Sequence, residues 1–323
     1  LLVVNATLQP DPGIKTGKIG IFLFGQAGDL MTAMSVLKYR NELWPEKDII
    51  WFCNLPNAEL LKYAPIKEVR PYPWAGNGLP EGHLNFYPYL CDENNRLNKE
   101  LAANFKLTED LEEGYFPAPH MMTPPQRHGL DYPNVSKKVF GVPDDWEWHP
   151  CLEFVEEDYD KVESFLDEVG KGKIVFIETF AGSGQSLLDE EMVTTAMAMC
   201  DDVWADCKFI FGSHKFLRNK EAFPEHFFEN INVYSCKDFT VRQCALIAGS
   251  SDLIISVSSG ITVAASCWYN KPVPILQFCG SGVCGTKALA LGEMVQVFAD
   301  DRTIQSAKQQ FYNELTNLLN KYK

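Results

Sequence analysis

The sequence predicts an α/β protein built from two doubly wound, Rossmann-like halves. Three observations carry that expectation. Short apolar runs rich in Ile, Val and Phe recur along the chain, helical patterns alternate with them, and a proline-rich interval separates two such series. A length of 323 residues also exceeds what one hydrophobic core usually organises.

The first strand is expected in KIGIFLF (18–24), followed by a helix over Thr32–Leu43 and a second strand in DIIWFCN (48–54). Between about 70 and 150 the alternation lapses. That interval holds eleven of the nineteen prolines and reads as long loops with a few helices. The series resumes with strands in KIVFIET (173–179), CKFIFG (207–212), DLIISVS (252–258) and PVPILQF (272–278). Helices are expected between them over Asp189–Met199, Val241–Ala248 and Ile261–Tyr269. Continuous apolar character, rather than strict alternation, is the mark of parallel strands covered on both faces. The last stretch, Ile304–Lys323, reads as a helix with Phe311, Leu315, Leu318 and Leu319 on one face. The expected domains are 1–160, including the loop-rich 70–150, and 161–323.

A net charge of −14 argues against nucleic acid as a partner, because that role needs a basic stripe. No apolar run approaches the roughly 18 residues that span a bilayer. The opening LLVVNATLQPDPG has no basic segment before its apolar residues, so it does not read as a secretion signal, and the missing initiator Met reads as a processed or excised product. Ten cysteines are spread irregularly with no C-x-x-C pair, which signals neither a zinc site nor a disulfide framework. Reduced, buried thiols in a cytoplasmic protein are expected, with room for peripheral attachment to a membrane.

Three loops at expected strand ends contain small residues that leave backbone N–H groups approachable: GQAGD (25–29), ETFAGSGQS (178–186) and SVSSGITVAAS (256–266). The third is the best candidate for a diphosphate cradle, with Ser259, Gly260, Ile261 and Thr262 as N–H and hydroxyl donors. The same residues could equally form only a cap and a tight turn. Asp29 likewise has two readings, a helix cap or a carboxylate at the mouth of a cleft. No G-x-G-x-x-G follows the first strand, and neither a P-loop nor a G-x-S-x-G elbow is present.

The order of motifs resembles the lipopolysaccharide heptosyltransferase family, glycosyltransferases of GT-B fold classed as family 9. The resemblance rests on GDLMTAMSVLKYRNELWPEKDIIWFCN (28–54), FGVPDDWEWHPCLEF (140–154), IETFAGSGQS (177–186) and SCKDFTVRQCALIAGSSDLIISVSSGITVAASCWYNKPVPIL (235–276). It covers most of the chain outside 70–135. It implies an inverting, metal-independent transfer from a nucleotide-diphosphate sugar to a glycan or glycolipid hydroxyl, with no cofactor. Asp29 matches the family's Gly-Asp position and would be the general base. Ser258, Ser259, Gly260, Ile261 and Thr262 match the diphosphate turn, and Ser183, Gly184 and Gln185 match the other phosphate loop. Gly212, His214 and Lys215 match the loop that meets the nucleoside. Gln26, Thr32, His120 and Arg127 fall on the acceptor side. The chain departs from the family in carrying Ser258 where an Asp is usual and Val263 where a His is usual, and its phosphate loop lacks a Lys. Those departures favour a sugar other than heptose. They also keep two rivals in view: a non-catalytic protein of the same fold that binds sugar nucleotides or glycans, and a nucleotide-sugar epimerase.

Overall fold

The computed structural model describes residues 17–23, 27–72, 111–115, 117, 132–181, 188–212, 232–280, 287–299 and 302–323. The chain divides into two compact units, Leu1–Glu153 with Cys284–Ala288, and Phe154–Val283 with Leu289–Lys323. Among the described residues each unit has its own parallel sheet, so the expected doubly wound α/β class holds.

The first sheet contains β1 (Lys18–Leu23), β2 (Asp48–Asn54), β3 (Glu68–Tyr72) and β4 (Glu113–Tyr115), in the order β3-β2-β1-β4. Every pairing in it is parallel. Helix α1 (Ala27–Met34) follows β1 and starts five residues earlier than the expected Thr32. The run then tightens into a 3₁₀ stretch, Ser35–Tyr39, and ends in a last α-turn, Arg40–Leu43. Helix α2 (Tyr132–Phe140) packs against α1. An aromatic cluster closes this core: the Trp44 ring lies 5.3 Å from Tyr115 and 5.8 Å from Phe140, and Phe140 lies 6.3 Å from Trp148. The two buried indoles in the cluster are satisfied. Trp44 Nε1 donates to the Tyr115 hydroxyl, and Trp148 Nε1 to the Thr32 carbonyl.

The second sheet contains β5 (Ile174–Glu178), β6 (Lys208–Phe211), β7 (Val233–Ser235), β8 (Leu253–Ser256), β9 (Ile275–Gly280) and β10 (Met294–Ala299). Their order is β10-β9-β8-β5-β6-β7, again all parallel. Residues of opposite parity feed two separate cores. Val175, Ile177, Phe209, Phe211, Ile255 and Phe278 pack with helices α4 (Glu190–Val203) and α7 (Ile304–Lys321). Phe176, Ile210, Ile254 and Ile275 pack with α3 (Glu156–Val169) and α5 (Val241–Ser250). This two-sided burial is why these strands appear in the sequence as unbroken apolar runs. On α7 the buried residues include Phe311, Leu315, Leu318 and Leu319, the face that helical spacing predicts.

Local chemistry sets the helix starts. Asp189 caps α4 by accepting the Met192 N–H at 2.9 Å. Thr240 and Gln243 form a reciprocal capping box on α5, the T-V-R-Q pattern of the sequence made physical. Helix α6 (Gly260–Ala265) stops four residues short of the expected Tyr269. The Asn270 amide ends it by donating to the Ala265 carbonyl at 2.9 Å and to Ala245 at 3.1 Å. The described cysteines Cys53, Cys151, Cys200, Cys207, Cys236, Cys244, Cys267 and Cys279 are all buried, and none of them is in a disulfide. No helix among the described residues is long and apolar enough to cross a membrane.

Candidate functional site

Strand order decides where a ligand can sit in an open parallel sheet. In the second unit the chain runs outward one way through β5, β6 and β7, then crosses back to β8 and runs outward the other way through β9 and β10. The order therefore reverses between β5 and β8. Loops leaving adjacent strands in opposite directions at such a point open a crevice beyond the carboxyl ends, and nucleotides bind there in this class of sheet. In the first unit the reversal lies between β1 and β4.

The turn that leaves β8 at the second-unit reversal is Val257–Ser258–Ser259, leading into α6. Ser259 is the cap residue: its Oγ accepts the Thr262 N–H at 3.2 Å and lies 3.0 Å from Thr262 Oγ1. Thr262 Oγ1 in turn donates to the Val257 carbonyl at 3.3 Å. Val263 N–H goes to the Ser259 carbonyl. Thr262, which the sequence reading places among the phosphate donors, lies inside this network. Thr262 is buried and both its N–H and its hydroxyl bind within the turn. Gly260 and Ile261, both half-exposed, have the first-turn N–H groups that no intrahelical acceptor takes. Ser258 beside them is also half-exposed.

Where β8 ends, the paired row across the same sheet changes from apolar to polar. Gln296, Gln277, Ser256 and Glu178 stand in register across β10, β9, β8 and β5. Glu178 and Ser256 flank the reversal directly. Both are buried, and neither Glu178 Oε2 nor Ser256 Oγ has a hydrogen-bond partner among the described residues. Glu178 Oε1 accepts the Phe180 N–H at 2.9 Å, which favours the carboxylate, but burial outweighs that contact and pushes the acid up to about 8. Gly212, expected at the nucleoside, has a packing reason to be glycine. A Cβ there would overlap the Phe176 ring and lie 2.9 Å from Glu178 Oε2. Cys244 Sγ reaches the Gly212 carbonyl from α5 at 3.7 Å, and the adjacent Cys236 thiol is pushed upward by its contact with Cys244 and by burial.

In the first unit, Asp29 lies in the first turn of α1, just beyond the carboxyl end of β1, and is half-exposed. A carboxylate there is favoured by the helix field, and the position is inside the helix rather than at its cap. Thr32 was expected on the acceptor side. It is buried, its hydroxyl bonds back to the Gly28 carbonyl at 2.8 Å, and its carbonyl accepts Trp148 Nε1. Gln26, His120, Arg127, Ser183, Gly184, Gln185, His214 and Lys215 lie outside the described residues. Among the described residues no group of three or more His, Cys, Asp or Glu could hold a metal ion.

No protein-family model and no curated protein sequence matches the chain. Solved structures do. The chain is similar to a glycosyl transferase family 9 protein from Veillonella parvula DSM 2008, with a TM-score of 0.61 and 14% identity over 98% of this chain and 99% of that one. It is similar to E. coli ADP-heptose LPS heptosyltransferase II, at 0.61 and 13% over 95% and 100%. It is also similar to E. coli heptosyltransferase WaaC with ADP, at 0.52 and 12% over 92% and 99%. The fold is that of GT-B glycosyltransferases. Identities this low speak for the fold alone.

Sequence reasoning missed Glu178, Ser256 and Gln277. The signal was present in the strand sequences IVFIE, LIIS and ILQFCG, where one polar residue stands at or near the end of an apolar run.

Proposed function

We propose that the protein is an inverting glycosyltransferase that moves a sugar from a nucleotide-diphosphate sugar to a glycan or glycolipid hydroxyl. The observation carrying this reading is the turn Val257–Gly260 at the strand-order reversal of the second sheet, within a chain that matches GT-B glycosyltransferases over nearly its full length. In the proposed reaction the Asp29 carboxylate accepts the proton of the acceptor hydroxyl. The freed oxygen attacks the anomeric carbon from the face opposite the leaving group. The bond from that carbon to the diphosphate oxygen breaks, and the nucleoside diphosphate leaves. N–H groups of Gly260 and Ile261, with the hydroxyl of Ser258, are the donors available to the charge that develops there. No metal ion takes part, and chelator is expected to leave turnover unchanged. The acceptor belongs to the first unit and the donor to the second.

The test is nucleoside-diphosphate release from a panel of nucleotide-diphosphate sugars, with and without glycan acceptors. Asp29→Asn is expected to keep nucleoside-diphosphate affinity within about threefold while lowering transfer by about 10² to 10⁴, the usual range for a lost general base. Unchanged transfer in Asp29→Asn removes the base assignment. Wild-type binding without any transfer replaces the enzyme by a binding protein of the same fold.

A further inference from the structure

Gln277 is a primary amide in the apolar strand ILQFCG of β9, fully buried and with no charged partner among the described residues. Burying an amide is unfavourable unless its groups are satisfied, so its hydrogen bonds show what it is held for. Its Oε1 accepts Gln296 Nε2 at 2.7 Å and Cys279 Sγ at 3.3 Å. Its Nε2 donates to the Val257 carbonyl at 3.2 Å. A carbonyl can only accept, so the amide must face Val257 with its nitrogen, and Gln296 Nε2 then completes the oxygen side.

Val257 is the residue at which β8 gives way to the turn, and its peptide groups are fixed from three elements. Its N–H donates to the Glu178 carbonyl of β5 at 3.0 Å. Its carbonyl receives Gln277 Nε2 from β9 and Thr262 Oγ1 from α6. The chain path through Ser258, Ser259 and Gly260 therefore starts from a peptide with little freedom. Glu178 Oε2 and Ser256 Oγ, both buried and without a hydrogen-bond partner among the described residues, flank the same reversal.

We propose that Gln277 is a positioning residue for the donor diphosphate, acting through the Val257 carbonyl to hold the turn Val257–Gly260 in its binding geometry. The proposal rests on the donor-binding reading above. Gln277 touches no substrate; it sets where the N–H groups after Ser259 point. Its removal costs affinity for the phosphates and leaves the nucleoside end of the ligand alone.

The experiment measures dissociation constants of ADP, UDP and GDP and of the matching monophosphates on the full chain, for wild type, Gln277→Leu and Gln296→Leu. Leu keeps an apolar side chain of similar volume in β9. Gln296 is half-buried on the outer strand β10, so its variant removes only the donor that orients the amide and carries the test if Gln277→Leu does not fold. The expected result for Gln277→Leu is a drop of about tenfold in the preference for the bound diphosphate over its monophosphate, with monophosphate affinity within about threefold of wild type. Gln296→Leu shifts the same preference in the same direction by less. An unchanged preference in the variants that fold overturns the proposal. A parallel loss of diphosphate and monophosphate affinity also overturns it, because general loosening of the core moves both. A wild type that binds no nucleoside diphosphate removes the donor reading, and this inference with it.

Discussion

Glu178 is a carboxyl at the end of a buried strand, and among the described residues only one of its oxygens is hydrogen-bonded and no basic side chain stabilises its charged form. Burial holds its folded-state value at about 8 against an ordinary 4.5. A raised acid favours the folded state fully at pH values below 4.5. Above that the unfolded chain releases its proton while the folded chain keeps it, so stability falls as pH climbs, until the folded acid also ionises near 8. The whole effect is on the order of 5 kcal/mol. Glu178→Gln, which imitates the protonated acid, is expected to gain stability over wild type progressively between pH 5 and pH 8, measured by urea unfolding. A constant difference between the two across that range contradicts the buried-acid assignment. The neighbouring residues show how chemistry constrains single positions. Gly212 is small because Phe176 and Glu178 fill its side-chain space, and Thr262 is buried because its hydroxyl ties α6 to Val257.

At the scale of elements, a buried ion pair joins α3 to α5. Asp158 Oδ2 accepts Arg242 Nε at 2.5 Å, and Oδ1 accepts Arg242 Nη2 at 3.3 Å and Gln243 Nε2 at 3.1 Å. Burial alone would raise the Asp158 acid; Arg242, the Val155 N–H and Gln243 hold it below the ordinary value instead. A lowered acid stabilises the fold above its ordinary value, and that contribution is lost as pH falls through the folded value. Arg242→Ala leaves a buried carboxylate without its cation and is expected to cost about 3 to 5 kcal/mol in urea unfolding, whereas apolar replacement of both partners together costs far less. Equal costs for the single and double replacements contradict this. The strands show which elements could be read from sequence. The expected strands at 18–24, 48–54, 173–179, 207–212, 252–258 and 272–278 all lie inside the two sheets, covered on both faces. The unanticipated ones, β3, β4, β7 and β10, are the four sheet edges. Edge strands tolerate what interior strands exclude. β3 carries Glu68, Arg70 and Pro71, β4 and β7 are three residues long, and β10 leaves Phe298 exposed.

At the scale of the whole molecule, the chain is two sheets of one kind, each reversing its strand order beside its first strand. Two of the features singled out in the sequence lie at a reversal: Asp29 after β1, and Ser258 to Thr262 after β8. Motif order made those regions legible because a small-residue loop after an apolar run is visible in one dimension. The polar row Gln296–Gln277–Ser256–Glu178 was not, because its members lie far apart in sequence and meet only through strand register. The central claim is that the second unit binds the donor diphosphate at the turn after β8. Hydrogen exchange on the full chain, with and without saturating nucleoside diphosphate, tests it most directly, since amides that gain an acceptor or are covered by ligand exchange more slowly. Protection gained on binding is expected to centre on residues 257–262 and extend into β5 and β8, with α1 unchanged. Ligand-bound protein in which 257–262 exchanges as fast as in the free chain, while other segments become protected, contradicts it.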